Sequence, residues 1–138
     1  MTMTMTNSHS MLRAVAYWLP TPVIFAAFLG SGVALLTGFK PMIDGMVHLG
    51  YPSYFTTLLG VWKVIGAAAI VAPGLGLIKE WAYAGIMFDL TGAVTSRLAV
   101  GDGGMDAILP MIFIVAAAAS WLLRPDNRRL PGAGFVAA

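Results

Sequence analysis

Two residues of this sequence, Lys63 and Asp89, carry opposite charges within long apolar stretches. An ionisable side chain at the middle of a membrane costs about 2.5–3.5 kcal/mol on insertion scales, so each residue needs a partner or a function. In such a setting, a lysine and an aspartate can form an ion pair, relay a proton or hold the polar head of a ligand. The segments that carry the two residues determine which of these roles is open to them.

The composition places both residues in a membrane protein. The chain has 138 residues, of which 59% are hydrophobic and 10% are charged, whereas ordinary globular chains have roughly 45–50% and 25%. A soluble domain of this size has a large surface for its volume and must cover it with polar groups. The composition therefore excludes a soluble enzyme, a nucleic-acid-binding domain and a disordered chain.

Four apolar segments are long enough to cross the roughly 30 Å hydrocarbon core of a bilayer. The first and the last contain no charged residue, whereas the second holds Lys63 and the third holds Asp89 and Arg97. We therefore predict an all-α polytopic membrane protein, a bundle of four transmembrane helices in a domain of residues 13–124. A disordered leader (1–12) precedes this domain, and a cytoplasmic tail (125–138) follows it. The predicted spans are residues 14–36, 54–73, 81–99 and 107–123.

Basic residues near the ends of the spans predict the orientation. Lys40 and Arg97 lie at one membrane side, and five basic residues lie at the other. Cytoplasmic loops carry the excess of lysine and arginine, so we predict a multi-pass protein of the cell (inner) membrane with both termini in the cytoplasm. The five residues at the predicted cytoplasmic side are Arg13, Lys79, Arg124, Arg128 and Arg129.

The segment between the first two spans is too apolar for a freely solvated loop. Lys40, Asp44 and His48 recur every four residues, which places them on one face of a helix. We therefore predict a short amphipathic helix in the membrane interface and treat these three residues as outer-loop candidates. For His48, an interfacial histidine without a ligand is the favoured interpretation.

The depths of Lys63 and Asp89 match. Each lies eight residues from the outer end of its span, measured from Phe55 and Arg97, which is roughly 12 Å at 1.5 Å per residue. The two groups can therefore meet, either as an ion pair that fixes helix register or in a polar cavity for a small ligand, a proton or a quinone headgroup. Small and polar residues at usable depth are candidates for the lining of such a cavity: Trp62, Gly85, Gly92, Thr95 and Ser96.

Metal and catalytic chemistry find no support in the sequence. The chain has no cysteine and only two histidines, His9 and His48, which lie far apart. Thiolate metal sites and dithiol redox chemistry are excluded by the missing cysteines. We therefore expect no catalytic residue and no metal.

Several segments resemble the DoxX-like family of integral membrane proteins. Residues 59–67 (LGVWKVIGA) resemble its second helix, and residues 79–85 (KEWAYAG), with Asp89 and the residues through Ser96, resemble its third. Residues 48–52 (HLGYP) resemble its loop before the second helix, and Lys40 resembles a basic position after the first. The resemblance covers roughly residues 23–124 and implies a small helical membrane protein.

The family takes its name from a small membrane subunit of a terminal quinol oxidase, also described as a component of a thiosulfate:quinone oxidoreductase. The resemblance thus implies a non-catalytic subunit or accessory protein of a quinone-linked redox system, or a binder of a small lipophilic ligand. A quinone is suggested by resemblance only. The implied partners are the lipid bilayer and a membrane or peripheral redox protein, with no nucleic acid.

Two alternatives belong to other functional classes. A small proton-coupled carrier or permease could use Lys63 and Asp89, and it would require a homo-oligomer because four short spans enclose little volume. An intramembrane enzyme acting on a lipophilic substrate ranks last, because the sequence contains no recognisable pair of nucleophile and base.

Overall fold

The computed structural model describes residues 3–131, with side chains from residue 11 onward except that of Asp126. Over this range the chain forms six α-helices and one 3-10 turn, and it contains no strand. The prediction of an all-α fold is confirmed. The elements are α1 (Met3–Trp18), α2 (Pro20–Leu36), α3 (Lys40–His48), α4 (Ser53–Val71), α5 (Gly76–Ala99), α6 (Met105–Leu122) and the 3-10 turn Asp126–Arg128.

Three segments of the described chain are long and apolar enough to cross a membrane: Met11–Leu36, Ser53–Val71 and Met105–Leu122. They correspond to the first, second and fourth predicted spans, and they support a multi-pass membrane protein. The third predicted span lies in α5, which is 24 residues long but is not among the three. Its charged and small polar residues lower its hydropathy, so the count of four spans stays a prediction.

The helix boundaries differ from the predicted ones at both ends of the chain. Helical backbone begins at Met3, within the predicted leader, and is interrupted at Leu19. Pro20 causes the interruption, because it has no N–H to donate to the carbonyl of Ala16. Residues 1–2 of the predicted leader and 132–138 of the predicted tail lie outside the described part of the chain.

Four helices pack in a ring around one apolar core. In this ring α2 lies between α4 and α6, and α5 completes it on the opposite side, so that every neighbouring pair is antiparallel. One end carries α3 and the turn at residues 100–104 and is called the α3 end; the other carries α1 and residues 123–131 and is called the termini end. The core is formed by Ile24, Phe28, Ala67, Ile70, Tyr83, Ile86, Leu90 and Ala117.

Two glycines allow α2 and α4 to approach each other closely. A Cβ atom added to Gly32 would lie 3.0 Å from the carbonyl oxygen of Gly60, and one added to Gly60 would lie 3.1 Å from that of Gly32. Small residues at a helix crossing let the backbones meet in this way. The contact lies on the face of α4 that also carries Lys63, whose Cβ is 3.0 Å from the position of the Gly32 Cβ.

The amphipathic segment predicted between the first two spans forms the helix α3. Pro41 lies in its first turn, where the missing N–H costs no helical hydrogen bond. The ammonium group of Lys40 donates to Asp44 Oδ2 at 2.7 Å, an exposed pair four residues apart. Met46 is the buried residue of α3 and packs it against the bundle.

Candidate functional site

Lys63 and Asp89 are in direct contact, the pairing that their equal depths predict. Lys63 Nζ of α4 donates to Asp89 Oδ2 of α5 at 2.6 Å, and each side chain keeps 14% of its surface exposed. The ammonium group also lies 4.3 Å from the centre of the Phe28 ring of α2. A carboxylate and an aromatic face both attract an ammonium group. The arrangement therefore holds the Lys63 side chain among three helices.

A cavity of about 270 Å³ adjoins Lys63 and extends toward the α3 end, where Arg97, Met105 and Asp106 line it. All four helices of the ring contribute to it, with α6 supplying the largest share. We call it the Lys63 cavity. It is lined by Ala27, Phe28, Ser31, Lys63, Leu90, Ala93, Arg97, Met105, Asp106, Leu109, Pro110 and Phe113.

The polar groups of the Lys63 cavity are mainly hydrogen-bond donors. Arg97 Nη1 lies 3.8 Å from Asp106 Oδ1, which is an ion pair too long for a hydrogen bond. Lys63 carries three N–H donors and Arg97 five, and neither side chain has an acceptor. Lys63 is paired with Asp89 and Arg97 with Asp106, so the two cations are balanced by two carboxylates. The remaining N–H donors of Lys63 and Arg97 suit a ligand with carbonyl oxygens.

Pro110 and Ser31 also determine which polar groups are present in the cavity wall. Pro110 lies within α6 and has no N–H, so the carbonyl oxygen of Asp106 receives no helical hydrogen bond from residue 110. The hydroxyl of Ser31 donates to the Phe28 carbonyl oxygen at 3.3 Å and stays on its own helix. The rest of the lining is apolar, with two aromatic rings, Phe28 and Phe113.

The five residues predicted to line a cavity lie elsewhere. Trp62, which is 62% exposed, is one residue from Lys63 and therefore turned by about 100° around α4. Thr95 is exposed and its hydroxyl donates to the Thr91 carbonyl. Gly85 is exposed, and Gly92 and Ser96 are half-buried. None of the five is among the residues that line the Lys63 cavity.

The reason for their placement is the buried face of α5. That face consists of Lys79, Tyr83, Ile86 and Leu90. The stripe of small and polar residues that includes Asp89 runs along the edge of this face. No atom lies within 4 Å of a Cβ added to Gly85 or to Gly92, so neither glycine serves a close helix approach.

Of the three outer-loop candidates, His48 has a partner far along the chain. Its Nε2 lies 3.0 and 2.9 Å from the two carboxylate oxygens of Asp102 in the turn between α5 and α6. The hydroxyl groups of Tyr51 and Ser96 are 2.5 Å apart. These contacts join α3 and the following turn to the C-terminal end of α5 and the turn that follows it. Lys40 and Asp44 are paired with each other on the exposed face.

An apolar layer separates the Lys63 cavity from the termini end. One turn beyond the cavity the bundle is filled by Ile24, Ile70, Ile86 and Ala117, all at most 2% exposed. Water in a buried site needs two to four polar partners, and these side chains offer none. The apolar layer therefore closes the cavity toward the termini end.

Beyond the apolar layer lies a chain of buried hydroxyl groups. Thr21 donates to the Tyr17 carbonyl oxygen at 2.6 Å, so its proton is used there. Ser120 must then donate to Thr21 at 2.6 Å, and Tyr83 must donate to Ser120 at 2.7 Å. Every proton of this chain has an acceptor. The contacts join α2, α5 and α6 near the termini end.

Sequence reasoning missed Asp106, Phe28 and this hydroxyl chain. The signal for Asp106 was its place in the first turn of α6, close to Arg97 in the last turn of α5. The hydroxyl chain joins residues up to 99 positions apart, and no local pattern marks it. Within the described residues, no three His, Cys, Asp or Glu side chains are placed to hold a metal ion.

Comparison with known proteins gives one match. Residues 19–120, well over half of the chain, match the model of the DoxX-like family. The matched range contains every residue of the Lys63 cavity as well as Asp89. No curated protein and no solved structure matches the chain.

Proposed function

This chain belongs to the DoxX-like family of membrane proteins, and we propose that it binds a small lipophilic ligand with a polar head. The head would occupy the Lys63 cavity and the tail would extend toward the lipid. The protein would act as a non-catalytic subunit or accessory protein of a quinone-linked membrane redox system. The observation that carries the proposal is a cavity of about 270 Å³ that is lined by Lys63, whose ammonium group is held by Asp89.

The size and the lining of the cavity suit a headgroup. Pockets that enclose a whole drug-sized ligand measure roughly 300–1,000 Å³, so this cavity takes a smaller group. Phe28, Leu90 and Phe113 offer apolar and aromatic contact, while Lys63 and Arg97 offer donors. A planar ring with carbonyl oxygens, such as a quinone head, meets both requirements.

The donor groups fit a quinone. Lys63 has three N–H donors and spends one on Asp89, so donors remain for a carbonyl oxygen in the cavity. A bound quinone would supply electron-transfer chemistry, and its redox partner would be a separate membrane or peripheral protein. The part of this chain is to bind and orient the head and to keep water from its inner side.

The topology proposed for this function includes α5 as the fourth span. Pairing with Lys63 neutralises Asp89 and thereby offsets the cost of both charges within the membrane. With four spans the two termini lie on the same side. The basic residues of the termini end support a cytoplasmic location for that side of the cell (inner) membrane, and the Lys63 cavity would then lie toward the outside.

A carrier would need access to its site from the termini end as well as from the α3 end. The apolar layer of Ile24, Ile70, Ile86 and Ala117 closes the bundle toward the termini end, and this favours a binding protein over the proton-coupled carrier. Flux assays separate the two functions. Proton-coupled uptake into liposomes that is lost in Asp89→Asn would support the carrier and contradict the binding protein.

A binding measurement with a short-chain ubiquinone tests the proposal. We expect saturable binding to the purified protein in nanodiscs, and at least tenfold weaker binding in Lys63→Met. Lys40→Met removes the same charge at an exposed site and is the matched control. Because Lys63→Met leaves Asp89 without its ion-pair partner, the double variant Lys63→Met/Asp89→Asn is measured as well. Undiminished binding in both Lys63 variants would refute the proposal.

A further inference from the structure

The termini end carries a group of charged side chains that the proposed function does not use. We call Lys79, Glu80, Arg124, Arg128 and Arg129 the tail cluster. Lys79 is fully buried, and its Nζ donates to the carbonyl oxygens of Ala69, at 2.8 Å, and of Ala72. These carbonyls end α4, and a cation at a helix C-terminus is stabilised by the helix dipole. Lys79 therefore has a structural role.

Both carboxylate oxygens of Glu80 already accept a hydrogen bond. Its Oε1 accepts from Arg124 Nη2 at 2.6 Å, and its Oε2 accepts from Trp121 Nε1 at 2.7 Å. Arg124 is 3% exposed, and its Nη1 is buried without a hydrogen-bond partner among the described atoms. A buried guanidinium N–H without an acceptor is costly, so Arg124 keeps one donor that Glu80 does not satisfy.

The two arginines that follow, Arg128 and Arg129, donate to neutral oxygen atoms. Arg128 Nη1 lies 3.4 Å from the hydroxyl of Tyr17 and 3.4 Å from the Val71 carbonyl oxygen, and its guanidinium lies 4.9 Å from the Trp18 ring. Arg129 donates to the carbonyl oxygens of Arg124 and Leu122. These contacts hold both cations at the surface of the termini end.

The charge balance of this region is positive. Four cations of the tail cluster stand against Glu80 and against Asp126 of the same segment. Burial, followed by the charges of Arg128 and Arg124, lowers the pKa of Lys79, which precedes the predicted span at residues 81–99. This effect agrees with an excess of cations in close proximity.

We propose that the tail cluster binds the phosphate of an anionic phospholipid in the leaflet at the termini end. Arginine suits phosphate because its fork of donors matches two phosphate oxygens, and anionic lipid surfaces attract basic segments next to a span. Trp81 and Leu77 of α5 are exposed beside the cluster and offer an apolar surface to the acyl chains. Aromatic residues commonly lie at this depth.

Lipid binding to the full chain in detergent tests the proposal by native mass spectrometry. We expect phosphatidylglycerol to bind at least about fivefold tighter than phosphatidylcholine with the same chains. Arg128→Gln, which disturbs no bond shorter than 3.4 Å, should abolish most of this preference. Lys40→Gln removes a cation from the α3 end and should leave it intact. Equal binding of both lipids would overturn the proposal.

A second arm separates the lipid from free phosphate. Inorganic phosphate at millimolar concentration should leave the retention of phosphatidylglycerol unchanged, because the acyl chains contribute to its binding. Displacement of the lipid by phosphate would overturn the lipid assignment. The same loss of lipid in Arg128→Gln and Lys40→Gln would overturn the assignment to the tail cluster. None of these outcomes depends on quinone binding at the α3 end.

Discussion

Lys63 Nζ and Asp89 Oδ2 lie 2.6 Å apart between α4 and α5, and both side chains remain 14% exposed. Burial gives an ion pair little net stability, because both charges lose their hydration. Lys63 also contributes to the wall of the Lys63 cavity, whereas Asp89 does not. The pair therefore joins α4 to α5 and sets the position of an ammonium group at the cavity.

The first prediction concerns the strength of this pair. Lys63→Met and Asp89→Asn should each lower the stability of the detergent-solubilised protein, because each leaves one buried charge without its partner. In soluble interiors such a change costs about 3–5 kcal/mol. Interactions within membranes are often weaker, so we expect a loss of about 1–2 kcal/mol for each variant.

A thermal-unfolding cycle measures the coupling. The double variant should recover part of the loss, because it removes both charges together. Strict additivity of the two losses would show that the residues do not interact in the membrane, and would contradict the contact in the structure. The control pair is Lys40→Met and Asp44→Asn, whose exposed contact should contribute at most about 0.5 kcal/mol.

The sequence allowed the Lys63–Asp89 contact to be predicted, because depth along a helix follows from counting residues. It did not allow the lining of the cavity to be predicted. Which face of α5 is buried depends on the packing of Tyr83, Ile86 and Leu90 against three other helices. Gly85 lies one turn from Asp89 yet is exposed, since a small rotation of the buried face turns it away from the core.

The side-chain contacts at the termini end were also not predictable from the sequence. Glu80 and Arg124 are in contact although they are 44 residues apart in the sequence. No local pattern around either residue indicates its partner. By contrast, α3 was predictable because its charges recur every four residues within one short helix. The sequence therefore allows helices to be predicted where residue spacing defines them. It does not allow contacts to be predicted between segments that only the fold brings together.

The second prediction concerns the contact between α2 and α4. Gly32→Ala should destabilise the protein by about 1–3 kcal/mol, the usual cost of overpacking. The new Cβ would lie 3.0 Å from the Gly60 carbonyl oxygen, which belongs to the backbone and cannot turn away. Gly30→Ala is the control two residues earlier, where nothing lies within 4 Å. Equal melting temperatures of Gly32→Ala and Gly30→Ala would contradict the close approach of α2 and α4.

The third prediction concerns the hydroxyl chain. Ser120→Ala removes the acceptor of the Tyr83 hydroxyl and the donor to Thr21. A buried donor without an acceptor costs about 1–3 kcal/mol in soluble proteins, and we expect about 1 kcal/mol here. Thr95→Ala removes an exposed hydroxyl that bonds within its own helix, so its melting temperature should match that of the parent. An unchanged melting temperature in Ser120→Ala would show that the chain adds nothing to stability.

The last prediction concerns the path of α5 through the membrane. The chain has no cysteine, so single cysteines report topology without background. Gly103→Cys, in the turn between α5 and α6, should react with a membrane-impermeant maleimide in intact cells. Asn127→Cys, which is also exposed, should react only after the membrane is permeabilised, because the excess of basic residues predicts that the termini end lies in the cytoplasm. Labelling of both positions from the same side would place the ends of α6 together. It would contradict the four-span topology and, with it, the location of the Lys63 cavity toward the outside.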